Sequence, residues 1–122
     1  MREISVQAVA DQVERLFLFA STCIGRDVEE AVKRGIETEP SPAGRAALEQ
    51  IAENYEIARE ERVAICQDTG MAVVFADIGQ DVRLTGGDFE TAVNEGVRRA
   101  YLGGYLRKSV VSDPLFDRKN TR

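Results

Sequence analysis

Hydrophobic side chains recur every three or four positions at Val6, Val9, Val13, Leu16, Phe17 and Ala20. That spacing predicts an amphipathic helix of about four turns, with Ser5 as its N-cap. Gly25 breaks the pattern, and Asp27 with Glu30 three places on reads as a capping box. The box opens a second helix through Val28, Ala31, Val32 and Ile36, which ends near "TEPSP". Ser41 and Pro42 then form a cap and first-position pair for a third helix, with its stripe at Leu48, Ile51, Tyr55 and Ala58. At Val63 the period changes. "VAIC" and "MAVVFADI" are short, rich in β-branched residues and separated by Gln-Asp-Thr-Gly, so they read as two strands around a turn. A weaker strand, "VRL", follows. "TGGD" then opens a fourth helix with apolar positions at Phe89, Ala92, Val93, Val97, Ala100 and Tyr101, which Gly103 and Gly104 loosen at its end. Beyond Leu106 the pattern is irregular.

The expected fold class is α+β: a helical N-terminal half, a short β-hairpin-like sheet and a further amphipathic helix. No repeat, low-complexity tract or linker divides the chain, so residues 1–122 read as one domain. The ending "DRKNTR" has no terminating element, which suggests a truncated part of something larger.

Composition narrows the chemistry. The longest apolar runs fall far short of the ~20 residues that span a bilayer, and the N-terminus lacks a secretory pattern, so a cytoplasmic protein with no membrane partner is expected. Two cysteines 43 positions apart and no histidine exclude a disulfide scaffold, a Cys/His zinc site and imidazole catalysis. Charge is uneven. Residues 1–95 hold 9 Lys/Arg against 19 Asp/Glu, whereas residues 96–122 hold 7 against 2. An acidic body repels phosphate, and the basic end lacks a dense cluster with interleaved aromatics, so no nucleic acid is expected. Small anions or an acidic partner suit that end better.

Cys66 is the residue that asks for a role. A lone intracellular cysteine is ordinarily a small buried hydrophobe. Here an amide, a carboxylate and a hydroxyl follow at once in "CQDTG", and Gly70 permits a sharp bend, so polar groups crowd one turn. Cys23, just past a helix end, reads as packing. Arg98 and Arg99 read as one exposed and one interface side chain, and "RKN" could border a site or form a solvated loop.

"ICQDTGMAVVF", "IGQDV", "NEGVRRAY", "LRKSVVSDPL" and "RKNT", in this order, resemble the N-terminal portion of the class I (iron-sulfur) fumarate hydratase and L-tartrate dehydratase alpha subunits. The resemblance covers residues 40–121 most strongly. It implies oxygen-sensitive hydro-lyases carrying a 4Fe-4S cluster. It also implies that Cys66 is the first of three cysteine ligands to the cluster, that Gln67 and Asp68 lie at the substrate, and that Arg107 binds a substrate carboxylate. Those roles are chemically sensible. Three thiolates leave one iron open to act as a Lewis acid on a hydroxyl. Asp68 can donate the proton that lets hydroxide leave, and Arg107 offers a planar fork for a carboxylate.

The family's alpha subunits run to well over twice this length. They add two further cluster cysteines and work with a beta subunit or C-terminal domain that supplies more substrate ligands and the general base. The expected activity is reversible dehydration of a small hydroxy-dicarboxylate, malate to fumarate first and tartrate as the alternative, by a homo-oligomer in its complete form. This segment alone would be inactive. From a different class, a non-catalytic truncated interaction protein remains open; a redox thiol protein is weaker, because no resolving cysteine lies near Cys66.

Overall fold

The computed structural model describes residues 1–121. Its elements run β1 (Arg2–Ser5), α1 (Val6–Thr22), α2 (Arg26–Thr38), α3 (Pro42–Glu61), β2 (Val82–Thr85) and α4 (Phe89–Gly103). The chain forms two compact units, one from residues 1–18 with the chain from Cys66 onward, the other from Phe19–Ile65. No helix is long and apolar enough to cross a membrane among the described residues.

The helix starts follow local chemistry. Ser5 Oγ accepts from Ala8 N at 3.2 Å, Ser41 Oγ from Gly44 N at 3.3 Å and Asp88 Oδ2 from Thr91 N at 2.8 Å, each satisfying one orphan amide of a first turn. The expected box at Asp27 does not form. Gly25 is the N-cap of α2 and caps with no side chain, so Asp27 falls inside the first turn. There its negative charge still favours the positive end of the helix dipole. α3 ends at Arg62, which takes the left-handed conformation at φ 55°.

In the Phe19–Ile65 unit, α2 and α3 pack together. Leu48 lies against Gly35, where an added Cβ would stand 3.2 Å from Leu48 Cδ1. Glu29, hydrogen-bonded by Lys33 at 2.7 Å, also faces Arg59 at 3.9 Å.

The α+β class holds, but the sheet is built differently from the expected hairpin. β1 and β2 pair in parallel, Arg2 with Val82 through Ser5 with Thr85. "VRL" is therefore a strand. "VAIC" is not, because its backbone is claimed elsewhere: Ile65 N donates to Ser21 O at 3.0 Å, and Asn54 Nδ2 donates to Ile65 O at 2.8 Å. "MAVVFADI" has no strand beside it among the described residues, and strand structure requires one.

In the other unit the core lies where α4 meets α1. Ala10, Val13, Ala92, Ala100 and Leu106 are buried there. Gly96 is the closest point: a Cβ at that position would stand 2.5 Å from Ala10 O and 2.7 Å from Val13 Cβ. Arg99 binds the same two helices by charge, reaching Asp11 at 2.9 Å and Glu95 at 2.8 Å. Arg98 stays on the surface with Glu95.

Gly96→Ala is expected to destabilise the fold by about 1–3 kcal/mol or more, because the obstacle is backbone and a Cβ rather than a mobile side-chain tip. Gly103→Ala meets nothing within 4 Å. It should be neutral or stabilising by up to ~1 kcal/mol through helix propensity. Urea titration of both variants checks the contrast.

Glu95 gives a pH prediction. Hydrogen bonds from Arg98 and then Arg99 push its carboxyl from 4.5 down to about 2. The stability it contributes is full above its ordinary range and lost as pH falls from about 4.5 toward 2. Glu95→Gln should flatten the fall of the urea midpoint across that window relative to the wild type. Because the side chain is half-exposed and screened by solvent, the difference should be modest.

Candidate active site

The "CQDTG" turn is held by its own side chains and by α4. Gly70 takes φ 65°, a conformation that favours glycine, and its N–H donates to Asp68 Oδ1 at 3.0 Å in an Asx-type turn. The Cys66 thiol donates to Asp68 O at 3.1 Å. The Tyr101 hydroxyl donates to Thr69 O at 3.2 Å and Gly70 O at 3.0 Å. Its ring lies 5.5 Å from that of Phe17 on α1, which fixes the hydroxyl in place.

Thr69 passes the constraint on. Its hydroxyl donates to Arg107 O at 2.8 Å, so residues 38 positions apart become neighbours. The segment after Arg107 is fastened in turn by the "RKNT" stretch. Asn120 Nδ2 donates to Lys108 O at 2.7 Å, Thr121 N to Val110 O at 2.9 Å, and Val111 bridges Asn120 in antiparallel fashion. "RKN" thus borders this region.

The four expected site residues stand as follows. Cys66 is an exposed free thiol and Gln67 is exposed. Asp68 is exposed, with Oδ1 on Gly70 N and no partner for Oδ2 among the described residues. Arg107 is exposed and forms no ion pair among the described residues, although its carbonyl anchors the turn. Beside the turn lies a cavity of about 330 Å³ lined by Gly70, Met71, Tyr101, Lys108, Ser109 and Thr121, among others. That volume suits a small molecule. Lys108 lends it a positive charge.

Three contributors escaped the sequence reading. Tyr101 looked like one more apolar position of α4, though it alone in that stripe carries a hydroxyl that needs a partner when half-buried. Thr69 was visible only as the hydroxyl of the polar turn, not as an anchor for Arg107, and Lys108 carried no local signal beyond adjacency to Arg107. Cys23 lies in the other unit, half-buried, with Thr22 Oγ1 at 3.7 Å from its sulfur.

An exposed thiol on a turn can take iron. A 4Fe-4S cluster draws on about four protein or external ligands, and no three Cys, Asp or Glu side chains converge among the described residues. Of the described thiols, only the exposed one of Cys66 lies on this turn, so it could supply at most one ligand of such a cluster.

Cys66, Gln67 and Asp68 thus share one turn tied to the Arg107 carbonyl, while none of these four residues lines the cavity. Residues 10–122 match the family model described as fumarate hydratase (Fumerase), and the chain belongs to that family. The chain is similar to the "Putative L(+)-tartrate dehydratase subunit alpha" of Methanocaldococcus jannaschii. The two are 34% identical over 104 residues, covering 84% of this chain and 36% of that protein. The chain therefore spans about a third of the length of the relative it matches.

Iodoacetamide should alkylate Cys66 well before Cys23, since the former is exposed and the latter half-buried. Peptide mapping over a time course checks the order. In Tyr101→Phe the Cys66 rate should rise further as the turn loosens, at a stability cost of about 0.5–1.5 kcal/mol.

Proposed function

We propose that this chain is part of the alpha subunit of a class I, iron-sulfur hydro-lyase that adds water to, or removes it from, a small hydroxy-dicarboxylate. Malate to fumarate plus water is the first reading. Tartrate to oxaloacetate is the second, favoured by the name of the archaeal relative. One observation carries the assignment: the Thr69 to Arg107 hydrogen bond sets the "CQDTG" turn beside the arginine segment, as a shared substrate pocket requires.

In this reading Cys66 supplies one cluster ligand, and the remaining ligands come from the rest of the enzyme. When bound, the cluster supplies a Lewis-acidic iron for the substrate hydroxyl. Asp68 has one oxygen engaged by Gly70 N, which leaves the other to carry the proton it transfers as general acid. It gives that proton to the departing hydroxyl as the C–O bond breaks, so that water leaves, and recovers it on hydration. The carbon-bound proton goes to a base outside this chain. Gln67 orients the substrate by its amide. Arg107 grips one carboxylate through its two-pronged guanidinium, and Lys108 adds charge at the cavity. The natural setting is a cytoplasmic homo-oligomer, with a beta subunit or C-terminal domain of the same enzyme as partner. Residues 1–122 correspond to one part of that alpha subunit and need the rest of the enzyme for turnover.

The alternative class is a non-catalytic interaction protein. It draws on the exposed large apolar side chains, which a partner would cover. In the complete enzyme the two readings part. Asp68→Asn should lower kcat by ~10²-fold to 10⁴-fold at unchanged iron content. Arg107→Ala should raise KM by an amount equivalent to ~2–5 kcal/mol, because a substrate carboxylate loses its partner. Steady-state kinetics normalised to iron decides each role. Near-normal kcat in the first variant or unchanged KM in the second removes the role from that residue.

A further inference from the structure

Residues 71–80 are all exposed, and residues 71–79 run without a turn or bend. Met71, Val73 and Phe75, at 72%, 65% and 94% exposure, fall on one side of an extended chain, and Val74 and Ile78 on the other. Apolarity on both sides is the mark of a strand meant to be covered on both faces. No residue from 71 to 78 makes a hydrogen bond through its backbone among the described residues. Both edges of the segment are therefore open, with a row of donors and acceptors facing water. A soluble protein rarely leaves such an element bare.

We propose that residues 71–78 receive a β-strand from the polypeptide corresponding to the two-thirds of the alpha-subunit relative that lies outside the matched region. This rests on the functional reading above. Three observations select that occupant. The match covers only 36% of the relative, so the rest of that protein must pack against the counterpart of this region or leave it bare. The segment begins directly after the Cys66–Gly70 turn, where on the functional reading above the remaining cluster ligands would converge. Strand addition satisfies the open backbone as well as the apolar side chains, which a side-chain groove alone would not. The added strand would thus couple assembly of the subunit to completion of the site.

The test mixes the 122-residue chain with the M. jannaschii relative from which the matched region has been deleted. Expected is a one-to-one complex by native mass spectrometry, with amide exchange over residues 72–78 slowed by about a hundredfold or more. Val73→Pro and Val74→Pro each remove a donor, on opposite edges of the strand. At least one should weaken binding by about tenfold or more. Both should leave the free chain's circular dichroism unchanged, since the segment pairs with nothing there. A complex in which these amides still exchange fast overturns the proposal, as does binding indifferent to both prolines, or a homodimer built on this segment.

Should the deleted relative not fold, the intact relative gives the answer, since it carries the occupant in cis. Slow exchange at the positions aligned with 72–78 supports strand addition, and fast exchange there overturns it. Neither readout depends on turnover, so loss of the hydro-lyase reading and loss of this one are separable.

Discussion

The catalytic reading depends on a close crossing of two helices. Because residue 96 has no side chain, α4 can lie against Ala10 and Val13 of α1 at a distance no larger residue would allow. That approach sets Tyr101 on the ring of Phe17. The tyrosine hydroxyl then holds the carbonyls of Thr69 and Gly70, and the Thr69 hydroxyl holds Arg107. The later links are short-range contacts between half-buried or exposed groups, so they rely on the buried helix crossing being rigid. Ion pairs reinforce it. Arg99 joins Asp11 to Glu95 across the same two helices.

The uneven charge acquires meaning in this frame. Of the cations after residue 95, Arg98, Arg99 and Lys119 are taken up by carboxylates of their own fold. Arg107 and Lys108 pair with none among the described residues; the Arg107 carbonyl is tied to the turn, and Lys108 lines the cavity. An acidic protein that leaves cations unpaired in this stretch favours small anions locally while its remaining surface repels polyanions.

Legibility in the sequence followed the range of the interactions. Helices announced themselves because caps and stripes are local: Ser41 with Pro42 and Asp88 with Thr91 are readable within four residues. β1 went unread because "REIS" is four residues long and its partner lies about eighty positions away. The hairpin was expected because composition marks a segment as fit for a strand; whether a neighbour exists to pair with it is a tertiary fact. Cys66, Gln67 and Asp68 stood out by crowding polar groups at one turn. The anchoring roles of Tyr101 and Thr69 did not, since a hydroxyl's purpose is visible only once its acceptor is in place.

The central claim is that Tyr101 and Thr69 fasten the "CQDTG" turn to the Arg107 segment, and nuclear Overhauser spectroscopy of the 122-residue chain tests it most directly. Cross-peaks from the Tyr101 ring to Gly70 and from the Thr69 side chain to the Lys108 amide are expected. Their absence, with random-coil shifts over residues 66–70 while α1 and α4 remain folded, would contradict the account.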